Sequence, residues 1–280
     1  MEGINYMRNI SREELNEILK NHELWLQGIG GECADLSNTN LRYDDLRFAN
    51  LENADLSEAD LKNANLRYAN LKLANLKRAN LRYANLNGAN LRYANLKHAN
   101  LKHADLSDAD LKNANLKYAN LNDVNLRYAN LSDTDSRGAN LSDADLRHTD
   151  LSDANLSDAN LKDVKTNIYT VGYHLACPEE GSFVGYKKAD DCIVKLLILE
   201  DAKRSSATTM KCRCNKAKVL EITDIETGKS VDSAYSDYDN DFIYKVGEVV
   251  YVDNFDNDRW NECSTGIHFF MNRENAINYK

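Results

Sequence analysis

The chain contains one proline, Pro178, in 280 residues, although proline usually makes up about 5% of a protein. Because proline interrupts helices and strands, its scarcity indicates that one regular element occupies much of the chain. No apolar stretch approaches the ~18 residues of a membrane span. The N-terminus has no apolar core followed by small residues, so a signal peptide is not predicted either.

Cysteine pairs with the spacing of a zinc site are also missing. Six cysteines occur, and the closest two, Cys212 and Cys214, are separated by one residue instead of the two that zinc sites favour. We therefore expect reduced thiols in a cytoplasmic protein, with no metal and no cofactor. The net charge of −9 makes nucleic acid an unexpected partner, although a local basic patch remains compatible with it.

A five-residue repeat is the dominant feature of the sequence. From position 36 to position 161, leucine occupies 25 of 26 sites spaced five apart, and Ser136 occupies the other. The residue before each site is Asn or Asp in all 26 cases, and alanine stands two before it in 21. Self-similarity of this kind indicates a repeat architecture.

Neither a helix nor a flat strand can keep all these leucines on one side. Five helical residues turn through 500°, so the leucines would spiral around the cylinder. In a flat strand an odd spacing sends alternate leucines to opposite faces. A chain that turns a corner once per pentad keeps them inside, and four sides of about 10 Å each can close a square. Asn and Asp suit turns, so we expect them at the corners.

The pentads ADLSN, ANLRY, ADLSE, ANLKH and ADLSD closely resemble those of the pentapeptide-repeat family. The resemblance covers residues 34–163 and implies a right-handed, quadrilateral parallel β-helix, in a chain that is mainly β. Within this solenoid we expect a local defect at Ser136, where a hydroxyl replaces an apolar side chain.

The segment before the repeat is expected to cover the first coil. Ser11 and Glu14 form the S-x-x-E pattern of a helix capping box, and apolar residues follow it at helical spacing. The stretch HELWLQGIGGECADLS resembles the entry segment of many pentapeptide-repeat proteins. We therefore predict three parts: a short N-terminal capping helix in residues 1–33, the β-helix in 34–163 and a C-terminal domain in 164–280.

The outward positions of the repeat carry charges of both signs. Residues 20 apart share a face, so Arg42, Lys62, Arg82 and Lys102 form a basic ladder, which is either a solvated surface or a site for an anionic polymer. Some pentapeptide-repeat proteins mimic duplex DNA and act on type II topoisomerases. Here residues 34–163 contain 17 basic and 19 acidic residues, so the electrostatic basis for mimicry is weak.

The composition changes after the repeat and predicts a small α+β domain. Four apolar runs are typical of strands, and Asn272 can cap a final short helix. RSSATTMKCRCNKAKVLEI and FDNDRWNECSTGIHFFMNRENAINY resemble an uncharacterised domain that follows pentapeptide repeats in bacterial, phage and large-virus proteins. The predicted strands cover residues 193–199, 217–222, 248–252 and 266–270.

The candidate partner or ligand residues lie in this domain and are Arg213, Arg259, Trp260, Cys263 and His268. Arginine and tryptophan are common at binding hot spots, and Arg259 can instead pair with a nearby aspartate. Cys263 and His268 can be a nucleophile and a base, or a partly buried thiol and a packed imidazole. Phosphate-loop, dinucleotide-binding and metalloprotease motifs are missing, so no residue is predicted to be catalytic.

These features favour a non-enzymatic binding or scaffolding protein over an enzyme. In this hypothesis a rigid solenoid presents a C-terminal module that binds a partner or ligand, and we expect the partner to be a protein. One alternative is that the C-terminal domain is an enzyme or ligand sensor with the rod as a spacer. The other is a DNA mimic that regulates a type II topoisomerase.

Overall fold

The repeat coils so that residues 20 apart pair as parallel strands. A computed structural model of the protein, which describes residues 7–279 apart from the side chain of Asn240, shows this pairing from Asp35–Asp55 onward. The last pair joins Asp150 to Val171, beyond the final leucine of the repeat. One coil thus contains four pentads, and the repeat is a β-helix-type solenoid in a mainly β structure.

Leucine and alanine fill the interior of the solenoid. The leucines from position 36 to position 156 are at most 1% exposed. Most of the alanines two residues earlier are also buried, because residues two apart on a short extended segment point to the same side. Each buried leucine contributes roughly 1.5–3 kcal/mol of apolar transfer free energy, so the coil stack has a continuous hydrophobic core.

The corners of the coils lie at the two residues after each leucine. At the second of them, the non-glycine residues from Asn38 to Asp163 have φ between 48° and 65°, which is the left-handed region. The prediction that Asn and Asp occupy the corners is therefore wrong. Their backbones take part in the parallel pairing, and their side chains reach forward into the turn, as where Asp55 Oδ1 accepts from the Ser57 N–H at 2.8 Å.

The Asn side chains also bond to one another between coils. Asn70 Nδ2 donates to Asn50 Oδ1 at 3.0 Å, and Asn90 Nδ2 donates to Asn70 Oδ1 at 3.1 Å. Each of these amides lies partly buried and meets its counterpart 20 residues away. Asn is therefore satisfied both within its own turn and along the stack, which explains why the position accepts only Asn and Asp.

The backbone pairing of the solenoid continues through Ser136, where the sequence predicts a local defect. Asp135 pairs with both Asn115 and Asn155, and the Ser136 N–H donates to the Asn155 carbonyl at 2.9 Å. The Ser136 side chain is fully buried. Its hydroxyl lies 3.2 Å from Thr134 Oγ1, so the polar group has a partner, and threonine in place of alanine occupies part of the missing leucine volume.

A helix and a short strand precede the repeat. Strand β1 (Arg8–Asn9) pairs in parallel with β2 (Thr39–Asn40) of the first coil. Helix α1 (Arg12–Leu26) begins after Ser11, whose Oγ accepts from the Glu14 N–H at 3.1 Å. On the inner side of α1, Leu15 is buried.

The C-terminal part of the chain is built on a seven-stranded sheet with a separate hairpin. The sheet has the order β10-β7-β4-β3-β11-β6-β5, and β8 pairs with β9 in the hairpin. Helix α2 (Arg273–Asn278) starts at Asn272, whose side chain accepts from the Glu274 N–H. The strands are β3 (Phe183–Ala189), β4 (Cys192–Ile198), β5 (Arg204–Ser206), β6 (Lys211–Cys214), β7 (Lys216–Asp224), β8 (Ser233–Ser236), β9 (Asp239–Lys245), β10 (Val249–Tyr251) and β11 (Ile267–Phe270).

Backbone contacts divide the chain into two units, Met1–Tyr173 and His174–Lys280. We call them the repeat unit and the C-terminal unit. The first six residues of the predicted N-terminal segment, and Lys280 at the end of the predicted C-terminal domain, lie outside the described residues. Between Met7 and Tyr279, no helix is both long and apolar enough to cross a bilayer.

Candidate functional site

A cavity of about 680 Å³ opens in the C-terminal unit where two neighbouring strands separate. Strands β3 and β11 share one backbone pair, Tyr186 with Phe270. Both strands contribute residues to the cavity lining: Lys187 and Lys188 on β3, and Ile267, His268 and Phe270 on β11. The β8–β9 hairpin, the residues before β11 and helix α2 provide the remaining walls. The volume is in the range of small-molecule sites.

Two lysines in the wall of this cavity are buried, Lys187 at 8% exposed and Lys211 at 7% exposed. The Tyr238 ring lies 6.0 Å from Lys187 Nζ. Burial lowers the pKa of Lys187, the Lys211 charge lowers it further and Asp237 opposes both effects. Among the described residues, Lys187 Nζ has neither a hydrogen bond nor an ion pair.

Lys211 and His268 are brought together by the pairing of β6 with β11. His268 stands opposite Arg213 and Phe270 stands opposite Lys211, so these side chains alternate on one face of the sheet. Lys211 Nζ lies 3.1 Å from the Tyr279 hydroxyl. Burial, followed by the charges of Lys211, Lys187 and Arg213, lowers the pKa of His268 to about 4. The imidazole is therefore neutral near pH 7, and its buried Nε2 has no hydrogen-bond partner among the described residues.

Cys263 also lines the cavity, but its side chain is exposed, so it is not the partly buried thiol considered from the sequence. Its Sγ lies 4.0 Å from Lys211 Nζ. The cavity thus brings two of the five candidate residues together, Cys263 and His268.

Arg213 is buried and does not line the cavity. Its side chain supports the wall behind the cavity. Its Nη1 donates to the carbonyl oxygens of Asp256 and Thr265, at 2.9 and 3.1 Å, and its Nη2 donates to that of Asp258. The Phe255 ring packs 5.3 Å from the guanidinium. Arg213 therefore fixes the loop between β10 and β11 and does not reach the cavity.

Arg259 and Trp260 form a separate pair outside the cavity lining. The Arg259 guanidinium lies 4.3 Å from the Trp260 ring, and its Nε donates to the Ser206 carbonyl at 3.1 Å. Neither of these two contacts is with the aspartate considered from the sequence. The five candidate residues therefore do not form one site. Cys263 and His268 line the cavity, Arg213 supports a loop, and Arg259 stacks on Trp260.

The cysteines on β6 belong to the hydrophobic core. Cys212 and Cys214 are fully buried, and Cys177 packs in the same cluster. Burial raises the pKa of Cys214 to about 12. In the part of the chain that the structure describes, no group of three or more His, Cys, Asp or Glu side chains could hold a metal ion.

The lysines of the cavity were not predicted from the sequence. Lys187 follows another buried position at alternate spacing on β3, and Lys211 occupies the same kind of position on β6. A lysine at an inward position of a strand is unusual. The segment FVGYKKA has the alternating burial of a strand. The strand was not predicted because the segment is not an apolar run.

Several cations of the repeat unit outside the basic ladder are paired with acidic neighbours, and within that ladder Arg42 lies 3.8 Å from Asp60. Lys72 Nζ lies 2.9 Å from Glu52, Arg92 lies 3.3 Å from Asp110, and Lys112 lies 3.2 Å from Asp133. Other cations lie beside the ring of the next residue, as Arg82 does at 5.6 Å from Tyr83. The exposed pairs contribute little to stability, but they leave less free charge for an anionic polymer.

Comparison with known proteins assigns the two units to different families. Profiles of pentapeptide repeats match overlapping segments between residues 32 and 163, and a family of unknown function, DUF5758, matches residues 173–276. No protein with a curated functional description matches the chain.

Several solved structures are similar to the repeat. HetL from Nostoc sp. strain PCC 7120, described as involved in the regulation of heterocyst differentiation, is 39% identical over 48% of this chain and 64% of its own, with a TM-score of 0.20. The protein alr5209 from Nostoc PCC 7120 is 41% identical over 31% of this chain and 71% of its own, with a TM-score of 0.31. QnrB1, a plasmid-mediated fluoroquinolone resistance protein, is 22% identical over 49% of this chain and 84% of its own, with a TM-score of 0.27.

The chain thus spans slightly less than two thirds of HetL and somewhat more than two thirds of alr5209. The pentapeptide-repeat profiles confirm the resemblance that the pentads suggested, and the family that matches the C-terminal unit has no described function. The protein belongs to the pentapeptide-repeat family and has a separate C-terminal domain of a family of unknown function.

Proposed function

We propose that this protein is a non-enzymatic binding protein in which the cavity of the C-terminal unit holds the ligand or a group of the partner. The observation that supports this proposal is the cavity itself, about 680 Å³ in volume. Its wall contains the buried residue Lys187 and a buried imidazole nitrogen, His268 Nε2, which has no hydrogen-bond partner among the described residues. Buried polar groups are rarely left unpaired unless they meet a ligand or water.

The repeat unit is proposed as the scaffold of this protein. We infer a right-handed, quadrilateral β-helix with parts at 1–33, 34–163 and 164–280, where the four pentads per coil support the four-sided form and the family resemblance supports the handedness. Helix α1 is the proposed cap of the first coil. In support, Arg12 Nη2 donates to the Asp45 carbonyl, and His22 Nδ1 accepts from the Ala34 N–H at 3.1 Å.

The partner is proposed to be a protein in the cytoplasm, for which the six free thiols are the available support. One observation favours the enzyme alternative, namely the position of Lys211 Nζ beside the exposed thiol of Cys263. Binding is preferred because the neutral His268 and the unpaired Lys187 are features that a bound group satisfies without any reaction.

Filling the cavity tests the proposal in the full chain. Nile red, a neutral apolar dye, should fluoresce strongly with the wild-type protein because phenylalanine and tyrosine rings line the cavity. The variant Cys263→Trp adds a bulky ring at an exposed position in the wall, so dye binding should fall about tenfold or more. The matched control, Glu226→Trp, adds the same ring on the exposed turn after β7 and should bind the dye normally. Equal binding by both variants would refute the proposed site.

A further inference from the structure

The cavity of the C-terminal unit contains more cationic than anionic side chains, although the whole chain is acidic. Lys187, Lys188 and Lys211 line it together with Asp237 and Asp239, whereas the chain has a net charge of −9. The local excess of positive charge is therefore not a consequence of composition. It results from β3 and β6, which place lysines where strands usually carry apolar residues.

Lys187 lacks the counter-ion that its burial requires. An unpaired buried ammonium costs several kcal/mol unless an anion or a set of acceptors lies beside it. Asp237 is the carboxylate whose charge acts on Lys187, but it forms no ion pair with this lysine, and its Oδ1 accepts from the Asp190 N–H at 2.8 Å. The Tyr238 ring, 6.0 Å away, offers only a weak cation–π contact. An anionic group entering the cavity would provide the missing partner.

Two further donors are available at the same place. Lys211 Nζ is oriented by the Tyr279 hydroxyl at 3.1 Å, and an ammonium group has three N–H donors, so at least one remains for a ligand. His268 Nε2 is buried and unpaired within the described residues. Its neutral ring has a single N–H, which can donate to a ligand in the tautomer that carries the proton on Nε2. Two ammonium groups and an imidazole on adjacent strands are a set of donors suited to phosphate or carboxylate oxygens.

The remaining walls of the cavity are aromatic and apolar. Phe242 on β9, Phe270 on β11, Val252, Tyr238 and Tyr279 all line it, and the Phe270 and Tyr279 rings lie 5.2 Å apart. Rings of this kind bind a flat ligand by stacking and edge contacts. The volume is larger than a free phosphate or a small carboxylate requires, so the ligand should have a body as well as an anionic group.

We propose that the cavity binds an organic anion whose phosphate or carboxylate group lies among Lys187, Lys211 and His268, and whose flat aromatic body packs against Phe242 and Phe270. This inference rests on the proposed function, because it names the class of ligand for the same site. The binding is reversible and involves no covalent step.

Thermal unfolding of the full chain with matched probes tests the inference. AMP is compared with adenosine, and 2-naphthoate with 2-naphthamide, so that each anion has a neutral counterpart with the same ring. At least one anion should raise the melting temperature and bind about tenfold or more tightly than its neutral counterpart. A response to AMP alone identifies phosphate as the preferred group, and a response to 2-naphthoate alone identifies carboxylate.

Lysine variants show whether the response comes from the cavity. Lys187→Met should abolish the preference for the anion and leave the melting temperature of the ligand-free protein unchanged or higher, because it removes a buried charge without a partner. Lys211→Met should weaken the same preference. The control Lys218→Met, at an exposed position on β7, should behave as wild type.

Three results would overturn the inference: equal binding of anions and neutral counterparts, an unchanged preference in Lys187→Met, or a marked loss of stability in that variant. If Nile red still binds and Cys263→Trp still blocks it, only the ligand class is wrong and the binding site stands. If dye binding is also insensitive to Cys263→Trp, the proposed function fails with it.

Discussion

The second residue after each leucine has the least favourable backbone conformation in the repeat. Its φ is positive even where the residue is tyrosine or leucine, as at Tyr43 and Leu73, and such residues enter the left-handed region at a cost of about 1–2 kcal/mol. The frequent Asn, Asp, Gly and His at this position reduce that cost. At Gly88 a second reason applies, because a Cβ there would lie 2.4 Å from the ring of Tyr68.

His268 predicts a pH dependence of stability that belongs to the C-terminal unit. Its folded pKa of about 4 lies below the usual value near 6.5, so unfolding takes up a proton between these pH values. Stability is therefore unaffected above pH 6.5 and falls as the pH decreases toward 4, by up to about 2–3 kcal/mol. The variant His268→Gln should lose less stability than wild type over this range.

Tryptophan fluorescence can measure this effect in the C-terminal unit alone. The chain has two tryptophans, so a Trp25→Phe background leaves Trp260 as the reporter. Urea unfolding at pH 7 and pH 4.5, with and without His268→Gln, gives the difference. An identical loss of stability in both proteins would mean that other groups cause the acid sensitivity.

At the scale of the coil, Ser136 is the one interruption in the leucine stack. Ser136→Leu places an apolar side chain between Leu116 and Leu156, both fully or almost fully buried, and Thr134 Oγ1 keeps its bond to the Leu131 carbonyl at 2.8 Å. We expect the variant to be more stable by about 1–2 kcal/mol, less than a full leucine because Thr134 already fills part of the space.

Thermal unfolding followed by far-UV circular dichroism checks this expectation. Ser152→Leu is a suitable control, since it makes the same change at a partly exposed position of the repeat and should not stabilise the solenoid. A Ser136→Leu melting temperature equal to or below that of wild type would mean that Thr134 and its neighbours leave no room for leucine.

The repeat could be predicted from the sequence because one period determines both its local structure and its packing. The C-terminal unit could be predicted only where strands are apolar, as in β4 and β7. Strands β3 and β6 contain buried lysine and arginine. Because this composition is not typical of strands, the two strands could not be predicted from it. Since these polar strands form the cavity, the candidate site was the part of the fold least accessible to pattern analysis, and of the five candidate residues Cys263 and His268 line it.

At the scale of the whole molecule, the repeat unit and the C-terminal unit differ in what they offer a partner. The repeat unit has near-balanced charge and a uniform surface, which offers few distinctive contacts to a specific partner. The C-terminal unit has a cavity with buried, unpaired donors. Our account therefore places recognition in the C-terminal unit and stability in the leucine stack of the repeat.

The location of a bound anion tests this account most directly. The structure of the full chain crystallised with whichever of AMP and 2-naphthoate binds more tightly should show the anionic group within about 3 Å of Lys187 and Lys211, with the ring against Phe270. The competing site is the basic ladder of Lys62, Arg82 and Lys102 on the repeat. Ligand density on that ladder, with an empty cavity in the C-terminal unit, would contradict the account.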